Sequence, residues 1–353
     1  MVASLIPRQH EPSPDLLDSA APFRIREVHL LAAPEVGLKG IVAIHSTARG
    51  PALGGTRCLP YPSLEAAALD AFRLARGMSY KAAIHDLPLG GGKAVLLGPP
   101  PRTDRQSYFE AWGKLVHTLG GRFITAEDSG TNVADMDAAA RNTPYVVGTS
   151  ALGDPSPYTA QGVRRAMQAA LKFRCGSDDL DGVRVAIQGT GHVGYRLAVE
   201  LVDKGARVTV ADTDPRRAER CGRELGARIV PPEQIYDVPA DVFAPCALGG
   251  TVNRSTLERL DVAVIAGSAN NQLADEECAR ISQERGVLYV PDYVANGGGL
   301  MKVAAADSAE LPRRVESIYE LTLDLCRVAR AKGEWPLTVA NRRAEALLDV
   351  EIR

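Results

Sequence analysis

The pattern of apolar and polar positions in the first part of the chain predicts a mixture of helices and strands. From about residue 63 to 81, "SLEAAALDAFRLARGMSYK" places apolar residues at helical spacing, and Ser63 suits the N-cap. "KAVLLGPP" predicts a short buried strand that prolines end, and "RFITAED" predicts another strand that ends in carboxylates. Between them, "QSYFEAWGKLVHTLGG" predicts a second amphipathic helix that ends at glycine. We therefore expect polar side chains to gather where these elements end.

From Asp181 onward the pattern is that of a parallel sheet. "GVRVAIQGTGHVGYRLAVELVDKGARVTVADTD" gives a β-branched strand, a glycine turn, an amphipathic helix and a second strand, the order of a βαβ unit. Three further strand-like runs, "DVFAPCA", "DVAVIAGSANN" and "GVLYVPDYVANGGG", each end in small or polar residues. Because ligands lie beyond the carboxyl ends of such strands, we expect these endings to face one crevice.

The glycine turn of this unit predicts a dinucleotide-binding site. Its three glycines fit G-x-G-x-x-G between a strand and a helix, and the helix start offers unpaired N–H groups to a pyrophosphate. Asp212 ends the second strand and would bind the ribose while repelling an added 2′-phosphate, which favours NAD over NADP. Arg216 and Arg217 nearby could instead hold such a phosphate. The predicted cofactor-binding residues in this unit are Gly189, Thr190, Gly191, His192, Val193, Gly194, Asp212 and Thr213.

The later strand ends add Cys246, Ala247 and Asn270 to the predicted cofactor site. A cysteine there could be a nucleophile, but no covalent step is required. We interpret Cys246 as a small buried hydrophobe beside the cofactor.

Composition narrows the setting. A chain of 353 residues exceeds one ordinary core, so two domains are expected, and a net charge of -2 gives no electrostatic reason for a nucleic-acid or membrane partner. The six scattered cysteines, the absence of a signal pattern and the absence of a long apolar run indicate a reduced, cytoplasmic protein. The histidines lack metal-ligand spacing, so no metal site is predicted.

The stretch "DLPLGGGKAV" places Lys93 directly after three glycines. It is not a phosphate-binding P-loop, because Leu87 and Ala94 stand where that motif needs glycine and serine or threonine. A surface turn with a solvated lysine is the simplest alternative. Lys81 at the end of a predicted helix and Asp128 at the end of a predicted strand favour a functional role instead.

Eight motifs in order resemble one enzyme family. They are "GPALGGTR", "RLARGMSYKAA", "LPLGGGKAV", "GRFITAEDSGTNVADMD", "GDPSPYTAQGV", "DVFAPCALGG", "AGSANNQL" and "PDYVANGGGL". Together they resemble the glutamate/leucine/phenylalanine/valine dehydrogenase superfamily, most closely its leucine and phenylalanine dehydrogenases. The resemblance implies NAD-dependent oxidative deamination of an L-amino acid to a 2-oxo acid and ammonia by a homo-oligomer.

The same resemblance assigns roles. It implies that Lys81 binds the substrate carboxylate, that Lys93 is the catalytic lysine and that Asp128 shuttles protons to and from the substrate nitrogen. Enclosure beside a second ammonium would lower the pKa of Lys93, and the three glycines would let the backbone fold closely around the substrate. Asn271 would orient substrate and cofactor, and Thr159 would approach the nicotinamide, although both could be ordinary turn residues.

The substrate pocket implied by the resemblance is apolar. Its predicted residues, besides Lys81 and Asn271, are Leu53, Gly54, Gly55, Met78, Ala126, Leu300 and Val303. Glutamate-specific relatives carry lysine where this chain has Leu53, so glutamate should be rejected. We expect leucine, valine or isoleucine, with phenylalanine or tryptophan as the alternative, because apolar pockets separate similar side chains weakly. The relatives read Asn-Ala-Gly-Gly where this chain has "NGGG" from Asn296, which would loosen the backbone beside the pocket.

We expect an α/β fold of two domains with a cleft that closes during the reaction. A flexible leader would occupy residues 1–24, and a substrate domain would span 25–148, completed by 330–353. A Rossmann-type NAD-binding domain would span 149–329. Two other classes of function stay open. An inactive NAD-binding sensor or scaffold would keep the fold, and a Schiff-base lyase would use a similar lysine without needing the nucleotide unit.

Overall fold

The computed structural model describes residues 16–101, 103–305 and 309–349. They divide into two compact units. The first comprises the described residues up to Ser79 together with Leu89–Ser150, and the second comprises Tyr80–Pro88 together with the described residues from Ala151 onward. Each unit combines a sheet with helices, so the predicted α/β class is confirmed.

The first unit is built on a five-stranded mixed sheet of order β1-β2-β4-β3-β5. Strand β2 pairs antiparallel with β1 and β4, whereas β3 pairs in parallel with β4 and β5. The strands are β1 (Glu27–Ala33), β2 (Leu38–Ser46), β3 (Ala52–Leu59), β4 (Gly90–Leu97) and β5 (Phe123–Glu127). Because β3 lies between β4 and β5, the ends of these three strands are neighbours.

Helices cover both faces of this sheet. They are α1 (Leu16–Ala20), α2 (Leu64–Ile84), α3 (Arg105–Thr118) and α4 (Val133–Ala140). Val42 of β2 packs in one core with Trp112 of α3, while Ile41 packs in the other with Phe72 of α2. This alternation follows from the two-residue period of a strand. The Ser63 hydroxyl caps α2 by accepting from the N–H of Ala66 at 3.2 Å, as predicted.

The three glycines before Lys93 lie inside β4 rather than in a turn. A Cβ on Gly90 would sit 1.9 Å from the carbonyl oxygen of Ser46, and one on Gly91 would sit 2.1 Å from the backbone nitrogen of Ser79. On Gly92 it would sit 2.8 Å from the Phe123 ring. In this structure the glycines are needed for close packing of the chain against itself. Their predicted approach to a substrate stays a prediction.

The second unit is built on a six-stranded parallel sheet of order β11-β10-β9-β6-β7-β8. Its strands are β6 (Arg184–Gln188), β7 (Arg207–Ala211), β8 (Arg228–Ile229), β9 (Val242–Pro245), β10 (Val264–Ile265) and β11 (Leu288–Tyr289). The order reverses between β6 and β9, which is the switch point of a Rossmann fold. The Rossmann-type prediction is confirmed.

Ten helices belong to the described part of this unit. They are α5 (Ser156–Cys175), α6 (His192–Val202), α7 (Pro215–Leu225), α8 (Arg254–Arg259), α9 (Glu277–Glu284), α10 (Asp292–Ala295), α11 (Gly298–Ala304), α12 (Leu311–Glu316), α13 (Ile318–Lys332) and α14 (Pro336–Asp349). Within the described ranges, no helix combines the length and hydropathy needed to cross a bilayer.

The two ends of the chain were expected to form a flexible leader and the last helix of the substrate domain. Residues 1–15 of the expected leader lie outside the described residues, and its remainder contains α1 and a 3-10 turn, with Ala20 buried against α2. Helix α14 was expected to complete the substrate domain, but Ala340 and Ala344 pack with α13 and with Tyr293 in the second unit. The functional domain boundaries stay a prediction.

Candidate active site

A buried ion pair lies at the centre of the first unit. Lys93 projects from β4, where its side chain is 5% exposed, and its Nζ donates to Oδ2 of Asp128, which directly follows β5. Gly55 of β3 lies between them. A Cβ on Gly55 would sit 2.8 Å from the Asp128 Cβ and 3.3 Å from Lys93 Nζ, so the missing side chain leaves the space that the pair fills.

The carboxylate of Asp128 is held from several sides. Its Oδ1 accepts from the backbone N–H of Ser129 at 2.6 Å. Its own N–H donates to the Thr131 hydroxyl at 2.9 Å, and that hydroxyl donates to the Thr56 carbonyl at 3.0 Å. Arg57 Nε lies 3.3 Å from Oδ2 as an ion pair. The carboxylate is therefore fixed before any ligand binds.

Burial and charge act together on the two groups. Burial lowers the pKa of Lys93; the negative charge of Asp128 opposes this and the positive charge of Arg57 adds to it, so the net shift is downward. Burial by itself would raise the pKa of Asp128, but Lys93 and Arg57 outweigh it and hold that pKa below its usual value. Asp128 is thus ionised near neutral pH, and Lys93 gives up its proton more readily than an ordinary lysine does.

The other predicted pocket residues of this unit lie nearby in the sheet or on α2. Leu53 is 4% exposed on β3 and pairs with Gly91 of β4 and Ile124 of β5. A Cβ on Gly54 would overlap the carbonyl oxygen of Gly92 at 1.8 Å, so Gly54 serves packing between strands. Ala126 of β5 lies opposite Gly55. Ala126 and Met78 of α2 are both half-buried.

In the second unit, Lys81 is hydrogen-bonded to the side-chain amide of Asn270, which is in turn hydrogen-bonded to that of Asn296. The Lys81 side chain is buried, and its Nζ donates to Oδ1 of Asn270 at 3.1 Å. The Nδ2 of Asn296 donates to the same oxygen at 2.9 Å and to the carbonyl of Ser268 at 3.0 Å. Asn296 is 4% exposed, and its Oδ1 has no hydrogen-bond partner among the described residues. Asn296 was named from the sequence as the start of "NGGG" and was given no role in the site, yet it fixes the amide that accepts from Lys81.

Asn271 lies in a separate arrangement beside these amides. Its backbone adopts a left-handed φ of 51°, and its N–H donates to Oδ2 of Asp292. The other oxygen of Asp292 accepts from the N–H of Tyr293 at 2.9 Å. Burial raises the pKa of Asp292, and the charge of Lys81 opposes that shift. Sequence reasoning missed Asp292, although it stands within the quoted "PDYVANGGG".

The glycine turn has the geometry that a dinucleotide requires. Gly189 has a φ of 92°, and a Cβ on Gly194 would sit 2.0 Å from the Gly189 carbonyl oxygen, so both positions need glycine. At Gly191 the nearest atom to a Cβ would be 3.9 Å away, which leaves open space. Helix α6 begins there without a side-chain cap, so its first N–H groups face that space. These residues fit the pyrophosphate of NAD.

Asp212 is tied to the same turn. Its Oδ2 accepts from the N–H of Thr190 at 2.7 Å and from the Thr190 hydroxyl at 3.1 Å, while its Oδ1 accepts from the N–H of Asp214 at 2.8 Å. Arg216 forms an ion pair with Asp214 at 3.0 Å. Arg217 lies 3.9 Å from the same carboxylate, and both arginine side chains are exposed, so neither is withheld from a 2′-phosphate. In the same region, His192 and Thr213 are exposed and Val193 is half-buried.

The remaining predicted residues of this unit lie on or next to three elements, β9, α11 and α5. Cys246 follows β9 and is half-buried, and Ala247 beside it is exposed. Burial of the Cys246 thiol raises its pKa. Leu300 is buried and Val303 half-buried on α11, and Thr159 lies in the first turn of α5.

The run "NGGG" behaves differently from the expected loosening. A Cβ on Gly297 would sit 2.0 Å from Nε2 of His85, and one on Gly298 would sit 2.0 Å from the Tyr158 carbonyl oxygen. His85 is buried, burial lowers its pKa to about 4, and its Nε2 hydrogen-bonds to the Tyr293 carbonyl at 3.0 Å. The neutral imidazole therefore fills the place of a methyl group on residue 297, and the run is tightly packed.

The chain is similar to known proteins in both of its units. Residues 22–145 match the family model "Glu/Leu/Phe/Val dehydrogenase, dimerisation domain", and residues 213–313 match "Glutamate/Leucine/Phenylalanine/Valine dehydrogenase". A leucine dehydrogenase from Thermoactinomyces intermedius is 46% identical over 90% of this chain and 88% of its own. The chain belongs to the Glu/Leu/Phe/Val dehydrogenase family. The resemblance predicted from the motifs is thus confirmed, and the protein is an amino acid dehydrogenase.

Two further relatives carry different substrates in their names. A phenylalanine dehydrogenase from Caldalkalibacillus thermarum is 39% identical over 91% of this chain and 90% of its own. The crystal structure of L-tryptophan dehydrogenase from Nostoc punctiforme superimposes with a TM-score of 0.79 at 38% identity, covering 96% of this chain and 99% of that one. These relatives are named for leucine, phenylalanine and tryptophan, so the comparisons support an apolar amino acid and do not select one. Among the described residues, no group of three or more His, Cys, Asp or Glu is placed to hold a metal ion.

Proposed function

We propose that this protein oxidatively deaminates an apolar L-amino acid, with leucine, valine and isoleucine favoured, to its 2-oxo acid and ammonia with NAD as acceptor. The reaction is reversible. The observation that supports the chemistry most directly is the buried Lys93 ammonium held against Asp128. A general base near neutral pH cannot be an ordinary lysine, whose pKa is about 10.4, and the lowered pKa of Lys93 meets that need.

Each residue then has one task. Lys93, in its neutral form, takes a proton from the water that attacks the imino acid. Asp128, whose ionised form Arg57 still favours when Lys93 is neutral, exchanges protons with the substrate nitrogen. Lys81 binds the substrate carboxylate through its ammonium group, and Asn270 holds that ammonium in place at 3.1 Å.

The cofactor would be held by this chain's own glycine turn. The N–H groups at the start of α6 and the open space at Gly191 would receive the pyrophosphate, and Asp212 would receive the ribose. When bound, NAD supplies the acceptor for the hydride that leaves the α-carbon. The carboxylate of Asp212 at this turn would repel an added 2′-phosphate, which supports NAD over NADP.

The proposed substrate class depends on the apolar side chain of Leu53. It is 4% exposed and apolar, so a distal carboxylate beside it would lack a partner, and an unpaired buried charge is costly. An aromatic amino acid is the second candidate, because relatives named for tryptophan and phenylalanine are 38% and 39% identical. We also propose a homo-oligomer, which the description of the matched first domain as a dimerisation domain supports. Cytoplasmic localisation stays a prediction.

The test is the initial rate of NADH formation, followed by absorbance, with L-Leu, L-Val, L-Ile, L-Phe, L-Trp and L-Glu at alkaline pH. We expect the highest kcat/KM with a branched aliphatic substrate and a strong preference for NAD when NADP replaces it. A maximum with phenylalanine or tryptophan would select the second candidate. Turnover of glutamate alone would contradict the role of Leu53. A protein that binds NAD and turns over none of the six would contradict the proposed substrates and return the sensor or scaffold to consideration.

A further inference from the structure

The ion pair of Lys93 and Asp128 is the inner end of a longer row of charges in the first unit. Arg57 Nε lies 3.3 Å from Asp128 Oδ2, and Arg57 Nη1 donates to Asp70 Oδ2 at 2.8 Å. Tyr61 closes the row by donating its hydroxyl to the same Asp70 oxygen at 2.5 Å. The signs therefore alternate from Lys93 through Asp128 and Arg57 to Asp70.

Exposure rises along this row. The side chains of Lys93 and Asp128 are 5% and 15% exposed, whereas those of Arg57 and Asp70 are 18% and 26% exposed. The inner pair is thus shielded from water, and the outer pair lies between it and solvent. Charges separated by a poorly hydrated region interact more strongly than charges in water. The charge of Arg57 consequently reaches the inner pair, and Asp70 offsets part of that charge.

We propose that Arg57 and Asp70 are positioning residues for the Lys93–Asp128 pair: Arg57 holds the Asp128 carboxylate and presents its positive charge to Lys93, and Asp70 holds Arg57 and offsets part of that charge. The proposal rests on the proposed role of Lys93 as the base. Arg57 also holds Asp128 against β3, so the carboxylate stays aimed at Lys93.

The charged groups that face Lys93 come from each element packed around it. Asp128 follows β5, Arg57 lies on β3 and Asp70 on α2, and all three act on Lys93. Tyr61, in the segment between β3 and α2, acts on Arg57. Burial and the negative charge of Asp70 raise the pKa of the Tyr61 hydroxyl, so it is a neutral donor in the pH range of interest.

The test is the pH dependence of kcat/KM for deamination of L-leucine at saturating NAD. Activity should rise with pH as Lys93 loses its proton. Arg57→Gln removes a positive charge, so its profile should move to higher pH by about 0.5–1 unit. Asp70→Asn leaves Arg57 uncompensated, so its profile should move to lower pH by a similar amount. The double variant should return towards wild type, and Arg57→Lys and Asp70→Glu should restore most of the wild-type profile.

A matched control is Asp135→Asn. Asp135 is a buried carboxylate in the same unit that accepts from Arg105 Nε at 2.6 Å and from the N–H of Asn132 at 2.8 Å, and neither partner belongs to the row. Its loss should weaken folding without moving the profile. Shifts of Arg57→Gln and Asp70→Asn in the same direction, or no shift beyond that of Asp135→Asn, would overturn the proposal. If Arg57→Gln fails to fold, Asp70→Asn and Arg57→Lys decide the question.

A second readout does not depend on turnover. The chain has eight lysines, so ¹³Cε-lysine labelling gives few signals, and that of Lys93 is assigned by its loss in Lys93→Arg. Titration of this signal should show the same opposite displacements in the two single variants. If the wild-type protein turns over no amino acid but the titration of Lys93 still moves in opposite directions in the two variants, the proposed function is refuted and the proposed effect of Arg57 and Asp70 is supported. Turnover with no displacement would refute the charge row.

Discussion

Two buried lysines differ in what meets their ammonium groups. Lys93 lies on a strand of the first unit against the ionised carboxylate of Asp128, whereas Lys81 lies on the helical segment of the second unit and donates to the neutral amide of Asn270. The charge of Lys81 also acts on Asp292, whose two oxygens accept backbone N–H groups. A buried lysine that pairs with a carboxylate and has a lowered pKa is suited to exchange protons. A lysine whose ammonium is oriented by an amide is suited to bind an anionic ligand.

Lys93→Ala should have the largest effect. Loss of a proton-transferring group costs about 10²–10⁴ in rate, so kcat for leucine should fall about 10³-fold. Affinity for NAD should stay within twofold, since Lys93 belongs to the first unit and the glycine turn to the second. Initial rates and calorimetric titration of NAD measure the two quantities. Wild-type kcat in this variant would remove Lys93 from the chemistry.

Lys81→Ala should act mainly on KM. A hydrogen bond to a charged group contributes about 1.5–3 kcal/mol, so kcat/KM should fall by about 10- to 150-fold. The loss should be smaller for an amino acid amide, which has no carboxylate to bind. Comparing leucine with leucinamide measures that difference. An equal loss for both substrates would argue against carboxylate binding by Lys81.

Gly55→Ala tests the space that the catalytic pair occupies. Its Cβ would lie 2.7 Å from the Glu127 carbonyl oxygen and 3.3 Å from Lys93 Nζ, so the pair must shift. We expect about tenfold lower kcat and about 1–3 kcal/mol lower free energy of unfolding. The matched control is Gly77→Ala on α2, where a Cβ would meet nothing within 4 Å and the free energy of unfolding should rise by about 0.5–1 kcal/mol. Equal behaviour of the two variants in denaturation and turnover would contradict the account.

Asn296→Ala should have the smallest effect. It removes the hydrogen bond of 2.9 Å that fixes the Asn270 amide, but leaves Lys81 itself in place. One such bond contributes about 1 kcal/mol, so KM for leucine should rise about fivefold with little change in kcat. Steady-state kinetics separate the two constants. A fall in kcat with unchanged KM would place Asn296 in the chemical step instead.

The fold was predictable where its signals are local. The order of strand, glycine turn, helix and second strand around Gly189 depends on neighbouring residues, and the structure has it as predicted. The glycines before Lys93 were less informative, because a run of glycine is typical of a turn. Their place in β4 depends on pairing with β2 and β3, which only tertiary structure determines.

The site was predictable to a different degree. The motif resemblance identified Lys93 and Asp128. In the structure their strands, β4 and β5, lie on either side of β3, and the two side chains are in contact. Arg57 ends the motif "GPALGGTR" but was given no role, and Asp70 lies outside the motifs, because their ion pair joins a strand to a helix that sequence spacing does not bring together. The close packing of Gly297 against the His85 ring could not be predicted from the sequence either, because the two residues are far apart in the chain.

The measurement that tests the division of labour between the two lysines most directly is chemical rescue. Ethylamine would be added to Lys93→Ala and to Lys81→Ala, and the initial rate of NADH formation from leucine followed in each. The account predicts that the amine restores kcat of Lys93→Ala in proportion to its unprotonated concentration and leaves kcat of Lys81→Ala unchanged. Equal responses of the two variants, or rescue confined to Lys81→Ala, would contradict it.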